Sequence, residues 1–220
     1  GVLVSVGFNH RFHPGIRRVI GVAESSQFGP LMFIRIRYGH GGRVGYESEW
    51  RADPWISGGG ELIDQGFHLL DLSRCIAGEL PVASVLTSTT FWNMEVDDNA
   101  VIVLGQGRSP KPFALMHASC TEWKNLFELE AYFDTAKLVV RGLQGSYGRQ
   151  SLTEYIMRPE MGPPDMTVTE YDATDVSWAA EWRQLAGDVA RGRNSLGGTL
   201  EAALYCHRIA DAAYGDVLWR

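Results

Sequence analysis

From Pro81 to Arg141 the chain runs through apolar, β-branched segments set apart by turn signals, with no helical pattern between them. Val82 to Trp92 is rich in Val, Leu, Thr and Phe. The acidic turn Asp97-Asp98-Asn99 falls at the start of the next segment, Val96 to Gly105. Gly107 to Pro112 reads as a hairpin-like turn, Phe113 to Thr121 as a strand and Leu126 to Asp134 as another. Asp134 to Lys137 turns the chain into Leu138-Val139-Val140-Arg141. Successive strands joined by short turns pair antiparallel, because parallel neighbours need a long crossover. This stretch constrains the fold most, since such a sheet must be covered on at least one face.

The covering helices come from either side of it. Pro14 suits the first turn of a helix through Arg17, Val19, Ile20 and Ala23. A segment starting near Gly60 or Glu61 has a broad helical apolar pattern and ends near Ala77-Gly78. Trp178, Trp182, Leu185, Ala186 and Val189 follow a 3.6-residue period that Gly192 stops. Thr199 is placed to cap a last helix through Leu204, Ile209 and Ala213. Before the sheet, residues 2–8 read as a buried strand and Leu31 to Tyr38 as a strand with one wet face. Residues 142–176 read as a loop-dominated excursion with a short strand near Leu152 to Arg158. The expectation is one α+β domain over 1–220, an open, predominantly antiparallel or mixed sheet with helices on one face.

The chemistry is expected in the stretch Ser57 to Asp71. Three glycines, Gly58 to Gly60, precede the central helix, whose free N–H groups would favour a partly negative ligand oxygen. On a continuous helix Asp64 and His68 lie one turn apart on one face, and Asp71 continues the stripe. A histidine beside a carboxylate can be a tuned proton acceptor. The same spacing also fits a plain polar face. The glycine-rich segment Gly39 to Gly45 is not a phosphate loop, since no apolar helix follows it. Trp50 and Trp55 flank the approach to the triplet and suit either a ligand or loop packing.

A net charge of −6 with no basic run argues against nucleic acid as a partner. No apolar run reaches membrane-spanning length, so no membrane partner is expected. Cys75, Cys120 and Cys206 are few and widely spaced, which suits a reducing, cytoplasmic compartment and no cysteine-based metal centre. No His and carboxylate set has the spacing of a metal site.

Trp50 through Gly60, followed by Asp64, Gly66, His68 and Asp71, resembles the C-terminal part of the Gfo/Idh/MocA (glucose–fructose oxidoreductase, inositol dehydrogenase, rhizopine catabolism) oxidoreductases. Val6 to Pro14, Glu181 within Ser177 to Trp182, and the final helix from Gly198 through Ala202 support the likeness over nearly the whole chain. The resemblance implies a C-terminal domain like that of glyceraldehyde-3-phosphate dehydrogenase, whose open sheet face forms a homo-oligomer interface. It also implies a preceding Rossmann domain that binds NAD or NADP and is absent here, with residues 1–8 as its last strand. A catalytic lysine in that domain has no counterpart in this sequence, so the 220-residue chain by itself is expected to be inactive.

By the same resemblance His68 is the acid/base for a sugar or polyol hydroxyl and Asp64 its partner. Asn9, Arg11, Trp50, Lys124 and Asn125 are candidate substrate contacts, and Arg11 is also a candidate cofactor contact. Asn9 to His13 are expected at the cleft. The alternative is a non-catalytic carbohydrate-binding or assembly module of the same fold.

Overall fold

A computed structural model describes residues 3–106, 111–193 and 198–215. Its eight strands are β1 (Leu31–Gly39), β2 (Val82–Ser88), β3 (Asn99–Leu104), β4 (Phe113–Ser119), β5 (Leu126–Phe133), β6 (Ala136–Arg141), β7 (Ser151–Ile156) and β8 (Asp165–Glu170). They form one sheet in the order β2-β3-β4-β1-β5-β6-β7-β8. Every neighbouring pair is antiparallel except β1 and β4, where Phe33 pairs with Phe113 and Tyr38 with Ala118. β1 therefore sits in mid-sheet between strands that follow it by some 80 residues or more in the chain.

Alternation decides which face each residue takes. In β1, Ile34 and Ile36 are fully buried while Arg35 and Arg37 point to the other face. β5 buries Phe127, Leu129, Ala131 and Phe133 by the same rule. On this buried face lie α1 (Pro14–Ser25), α4 (Gly66–Ala77) and α6 (Leu200–Tyr214), with α4 against β1, β4, α1 and α6. Val19, Val22, Leu69, Leu70, Leu72 and Ile76 complete the core with the strands. Each such side chain gives roughly 1.5–3 kcal/mol on burial. The opposite face carries Phe33 stacked between Phe113 and Tyr132, and the ion pairs Arg35–Glu130, Lys137–Glu130, Arg37–Glu122 and Arg141–Glu128.

The structure departs from the sequence reading in four places. Residues 3–8 are not a strand: among the described residues Val6 makes one isolated bridge, to Gly198. Their β-forming pattern finds no strand edge to pair with. Residues 165–170 are a strand, β8, although they were expected within a loop. Pairing with β7 holds it, and all six of its residues are exposed, so no burial pattern marks it in the sequence. The central helix is interrupted: α3 (Glu61–Asp64) ends at Gln65 before α4 begins. Finally, α5 (Ser177–Arg191) forms and ends at Gly192 as expected, but its apolar stripe is uncovered, with Trp178 59% and Trp182 68% exposed. Of the hairpin-like turn at Gly107–Pro112, residues 107–110 lie outside the described residues, as do residues 1 and 2 at the start and Gly197 before the last helix.

The glycine triplet follows a short helix, α2 (Pro54–Ser57), whose Asp53 cap accepts from Trp55 N at 2.9 Å. A Cβ on Gly60 would lie 2.0 Å from Asp97 O and 2.5 Å from Asp97 N, where only backbone movement gives relief. Gly60→Ala is expected to lower stability by about 3 kcal/mol or more. Gly58→Ala, at φ +76° where a Cβ would meet only Ile63 Cδ1 at 4.0 Å, should cost about 1–2 kcal/mol. Urea unfolding of both variants measures the difference; equal losses would show that the Gly60 approach relaxes freely.

Candidate functional site

The amides at the start of α3 do not face a ligand, contrary to the expectation for this turn. Gly60 N and Leu62 N donate to the Asp97 carboxylate at 3.2 and 2.9 Å, and Glu61 N donates to Asp97 O at 2.9 Å. Tyr214 Oη donates to the same carboxylate. The protein has filled its own helix N-terminus with a carboxylate from the turn before β3, which fixes α3 against the sheet.

Around α3 and α4 several buried polar atoms have no partner: His10 Nδ1, Glu61 Oε2, Gln65 Oε1 and His68 Nδ1. Buried polar groups are ordinarily satisfied, so a local concentration of orphans makes this region the candidate site. His68 lies in the first turn of α4. Its ring is 4.0 Å from that of His10, with Phe8 and Tyr38 edge-on to it. His10 comes from the one-turn helix Asn9–Phe12, and its ring also approaches His13 at 5.9 Å. Tyr147 packs on Tyr38 with ring centroids 5.2 Å apart.

Burial pushes the His68 imidazole down to about 4, and the Asp64 charge pulls it back up. Burial lowers His10 as well, helped by the proximity of His68 and His13. His68 is therefore neutral at pH 7. Because the folded state takes up the proton later than the unfolded chain, this group contributes stability that is complete above about 6.5 and is lost as pH falls towards about 4. An NMR titration of the imidazole should show His68 uncharged at pH 6. Protonation at the ordinary histidine pH would mean that its surroundings are wetter than the structure shows.

Asp64 closes α3, and its exposed carboxylate accepts from Arg51 Nε at 3.1 Å. No hydrogen bond joins Asp64 to His68; their interaction is through the field alone. Trp50 is half exposed, with the Arg51 guanidinium 4.5 Å over its ring. Trp50, Arg51, Glu61 and Asp64 line a cavity of about 170 Å³ together with Tyr46 and Met94. Glu61 is 2% exposed; its Oε1 accepts from Tyr46 Oη at 3.2 Å and lies 3.6 Å from His40 Nε2. Burial raises the Glu61 carboxyl, His40 opposes that, and Asp64 adds to it.

The remaining candidates are dispersed. Asn9 is buried and donates to Ser177 Oγ at 3.0 Å, tying the first turn to α5. Arg11 grips Asp71 with Nε 2.6 Å from Oδ2 and a second contact from its terminal nitrogen to Oδ1. This engagement makes Arg11 a poor fit for a cofactor contact. Lys124 and Asn125 border a separate cavity of about 540 Å³ beside Tyr147, where Asn125 donates to Ser146 Oγ at 2.7 Å. Nothing in the sequence singles out His40, Gln65 or Glu61 as site residues. Glu61 stood three positions before the Asp64 it now neighbours, and nothing in the sequence placed His40 beside them.

No helix among the described residues is long and apolar enough to cross a membrane. Among curated proteins none matches the chain. Among solved structures it is similar to an aldose–aldose oxidoreductase from Caulobacter crescentus complexed with glycerol (TM-score 0.78, 21% identity, 96% of this chain and 61% of that one). It is also similar to a levoglucosan dehydrogenase in complex with NADH and levoglucosan (0.78, 14%, 93% and 61%). An oxidoreductase domain protein from Kribbella flavida gives 0.74 at 18% identity, over 95% of this chain and 62% of that one. The chain thus spans about three fifths of the length of these relatives, and at such identities the likeness is one of fold. The family model described as "GFO/IDH/MocA C-terminal domain" matches residues 16–146, more than half the chain. With the mixed eight-stranded sheet and the one-sided helical layer, this chain belongs to the Gfo/Idh/MocA C-terminal domain family.

Proposed function

We propose that this chain is the substrate-binding and oligomerisation part of an NAD(P)-dependent oxidoreductase acting on a sugar, a polyol or a sugar derivative. The observation that carries the reading is the neutral, orphaned His68 imidazole within the field of Asp64, at the start of α4 in a chain of this family. Oxidising an alcohol removes a hydride from carbon and a proton from oxygen. NAD or NADP, if held by a nucleotide-binding domain of the full-length protein, would supply the hydride acceptor. The hydroxyl proton goes to His68, and Asp64 stabilises the charge that develops on the ring.

The described residues themselves offer no dinucleotide cradle. The glycine-rich segment Gly39–Gly45 at the end of β1, the strand parallel to β4, leads into the one-turn helix Tyr46–Ser48 and not into a long helix packed on that strand pair. The uncovered Trp178 and Trp182 face of α5, beside the Asn9–Phe12 turn, is where we place that domain. Names of similar structures support the substrate class: one is an aldose–aldose oxidoreductase and another a levoglucosan dehydrogenase. A non-catalytic carbohydrate module would have no use for a buried and a partly buried imidazole in ring contact, each with an unpartnered Nδ1, which favours the redox reading over the binding one.

The test is NAD(P)⁺ reduction by the full-length protein across a panel of aldoses, polyols and anhydrosugars. Turnover of at least one of them is expected, and inactivity on all would remove the reading. The outer sheet face, with Leu115, Val101 and Leu86 exposed among the ion pairs, is the proposed homo-oligomer contact. Sedimentation as a monomer at high concentration would exclude it.

A further inference from the structure

Beside the cavity at Trp50 lies a second arrangement, which shares Asp64 with the pair proposed for proton transfer. One donor atom from each of His40, Glu61 and Asp64 lies within 4.8 Å of the others. The three are separated in sequence and come together only because β1 runs into the His40 loop beside the start of α3.

The hydrogen bonds assign unequal roles to them. Gly42 N donates to His40 Nδ1 at 3.0 Å, so in the neutral ring the proton resides on Nε2. That Nε2–H faces Glu61 Oε1 at 3.6 Å, and Tyr46 Oη donates to the same oxygen at 3.2 Å. Both donors orient Oε1. Oε2 of the same carboxylate is buried and accepts no hydrogen bond from nitrogen or oxygen among the described residues; the Cys120 thiol is the one further donor at this carboxylate. A bare carboxylate oxygen in that position costs about 1–3 kcal/mol or more, so it calls for a binding partner. Asp64 stands beside it with one oxygen, Oδ2, on Arg51, and no hydrogen bond to Oδ1.

We propose that Glu61 Oε2 and Asp64 Oδ1 form a binding site for an oxygen-preferring divalent cation, Mg²⁺ or Mn²⁺, with His40 and Tyr46 holding the Glu61 carboxylate in place from behind. Two carboxylates plus water or ligand hydroxyls are the usual protein share of an Mg²⁺ shell, at about 2.0–2.1 Å per bond. Two such bonds span oxygens up to about 4.2 Å apart, within reach of the observed cluster after small side-chain movement. Zn²⁺ fits less well, because the His40 nitrogen aimed at the cluster bears hydrogen and the remaining donors are all oxygen. The cation would face the cavity that Asp64 shares with Trp50 and Arg51, where hydroxyl oxygens of a polyol can complete its shell. This site does not depend on the redox reading: it is read by binding, without cofactor or turnover.

The experiment is titration of the full-length, metal-stripped protein with Mn²⁺, followed by electron paramagnetic resonance, with Mg²⁺ as competitor. One Mn²⁺ per chain is expected at sub-millimolar concentration. Glu61→Gln, nearly isosteric and able to keep the Tyr46 bond, should weaken binding at least tenfold, and Asp64→Asn similarly. His40→Asn should weaken it by about 10–100-fold if His40 orients the ligand. Glu47→Gln, an exposed carboxylate outside the cavity, should leave it unchanged. Absence of stoichiometric Mn²⁺ at millimolar concentration, or wild-type affinity in a folded Glu61→Gln protein, overturns the proposal and makes Glu61 a buried carboxylic acid only. His68→Asn should bind Mn²⁺ as wild type does, which separates this result from any failure of the catalytic reading.

Discussion

Replacing His68 with asparagine in the full-length protein is expected to lower kcat by about 10²–10⁴-fold, the usual contribution of a positioned acid/base. Asparagine keeps a polar group of similar reach but accepts no proton at neutral pH. The substrate must still release its hydroxyl proton, now to water. KM should change little, because a neutral polar side chain still stands between His10 and Phe8. Asp64→Asn supplies the second readout. The Asp64 charge raises His68 against the effect of burial, so its removal lowers the imidazole further and moves the acid limb of the pH–rate profile downwards. Normal turnover in His68→Asn would remove His68 from the chemistry, whereas an unshifted acid limb in Asp64→Asn would remove only the coupling.

Arg11→Met should destabilise the folded chain by about 3–5 kcal/mol, as breaking one side of a buried ion pair does. Arg11 and Asp71 are 10% and 1% exposed, and two contacts join them. Burial pushes the Asp71 carboxyl up and the guanidinium pulls it back, so without Arg11 the carboxylate is left in an apolar setting. The double variant Arg11→Met with Asp71→Leu should recover most of the loss, because it removes both desolvation costs together. Urea unfolding of the single and double variants measures both. A single variant within 1 kcal/mol of wild type would mean that the pair is solvated in solution. The effect should also reach the site, since Arg11 fixes the turn that carries His10.

The sheet was legible because alternation and turn residues are local. Ile34 against Arg35, and Phe127 against Glu128, show their faces in any short window. β8 was not legible because no face of it is buried, and pairing with β7 and the flanking ion pairs Arg149–Glu170 and Arg158–Asp165 hold it. The order β4-β1-β5 also escaped, since nothing local says which edge a strand will seek. Within the candidate site, spacing and family likeness single out Asp64 and His68. Their relation was not legible: the break at Gln65 and the Arg51 contact leave them coupled only through space. The amides of the triple-glycine turn were expected for a ligand, and Asp97 has them, through a contact 35 or more residues away. His40 joins Glu61 and Asp64 by a loop path that no periodicity reports.

The central place of β1 also determines how the chain must assemble. The strands from β2 to β4 can zip as hairpins as they emerge, and so can those from β5 to β8, but the two halves meet only through β1. β1 is synthesised before either half and must wait for both, with its two edges open and its Ile34 and Ile36 bare. Closing that seam requires large loops to be ordered before any contact repays them, which makes the last docking step slow. Newly made chains should therefore dwell in a form with an unpaired apolar strand, and their yield should depend on chaperones and temperature far more than the equilibrium stability of the finished molecule would suggest.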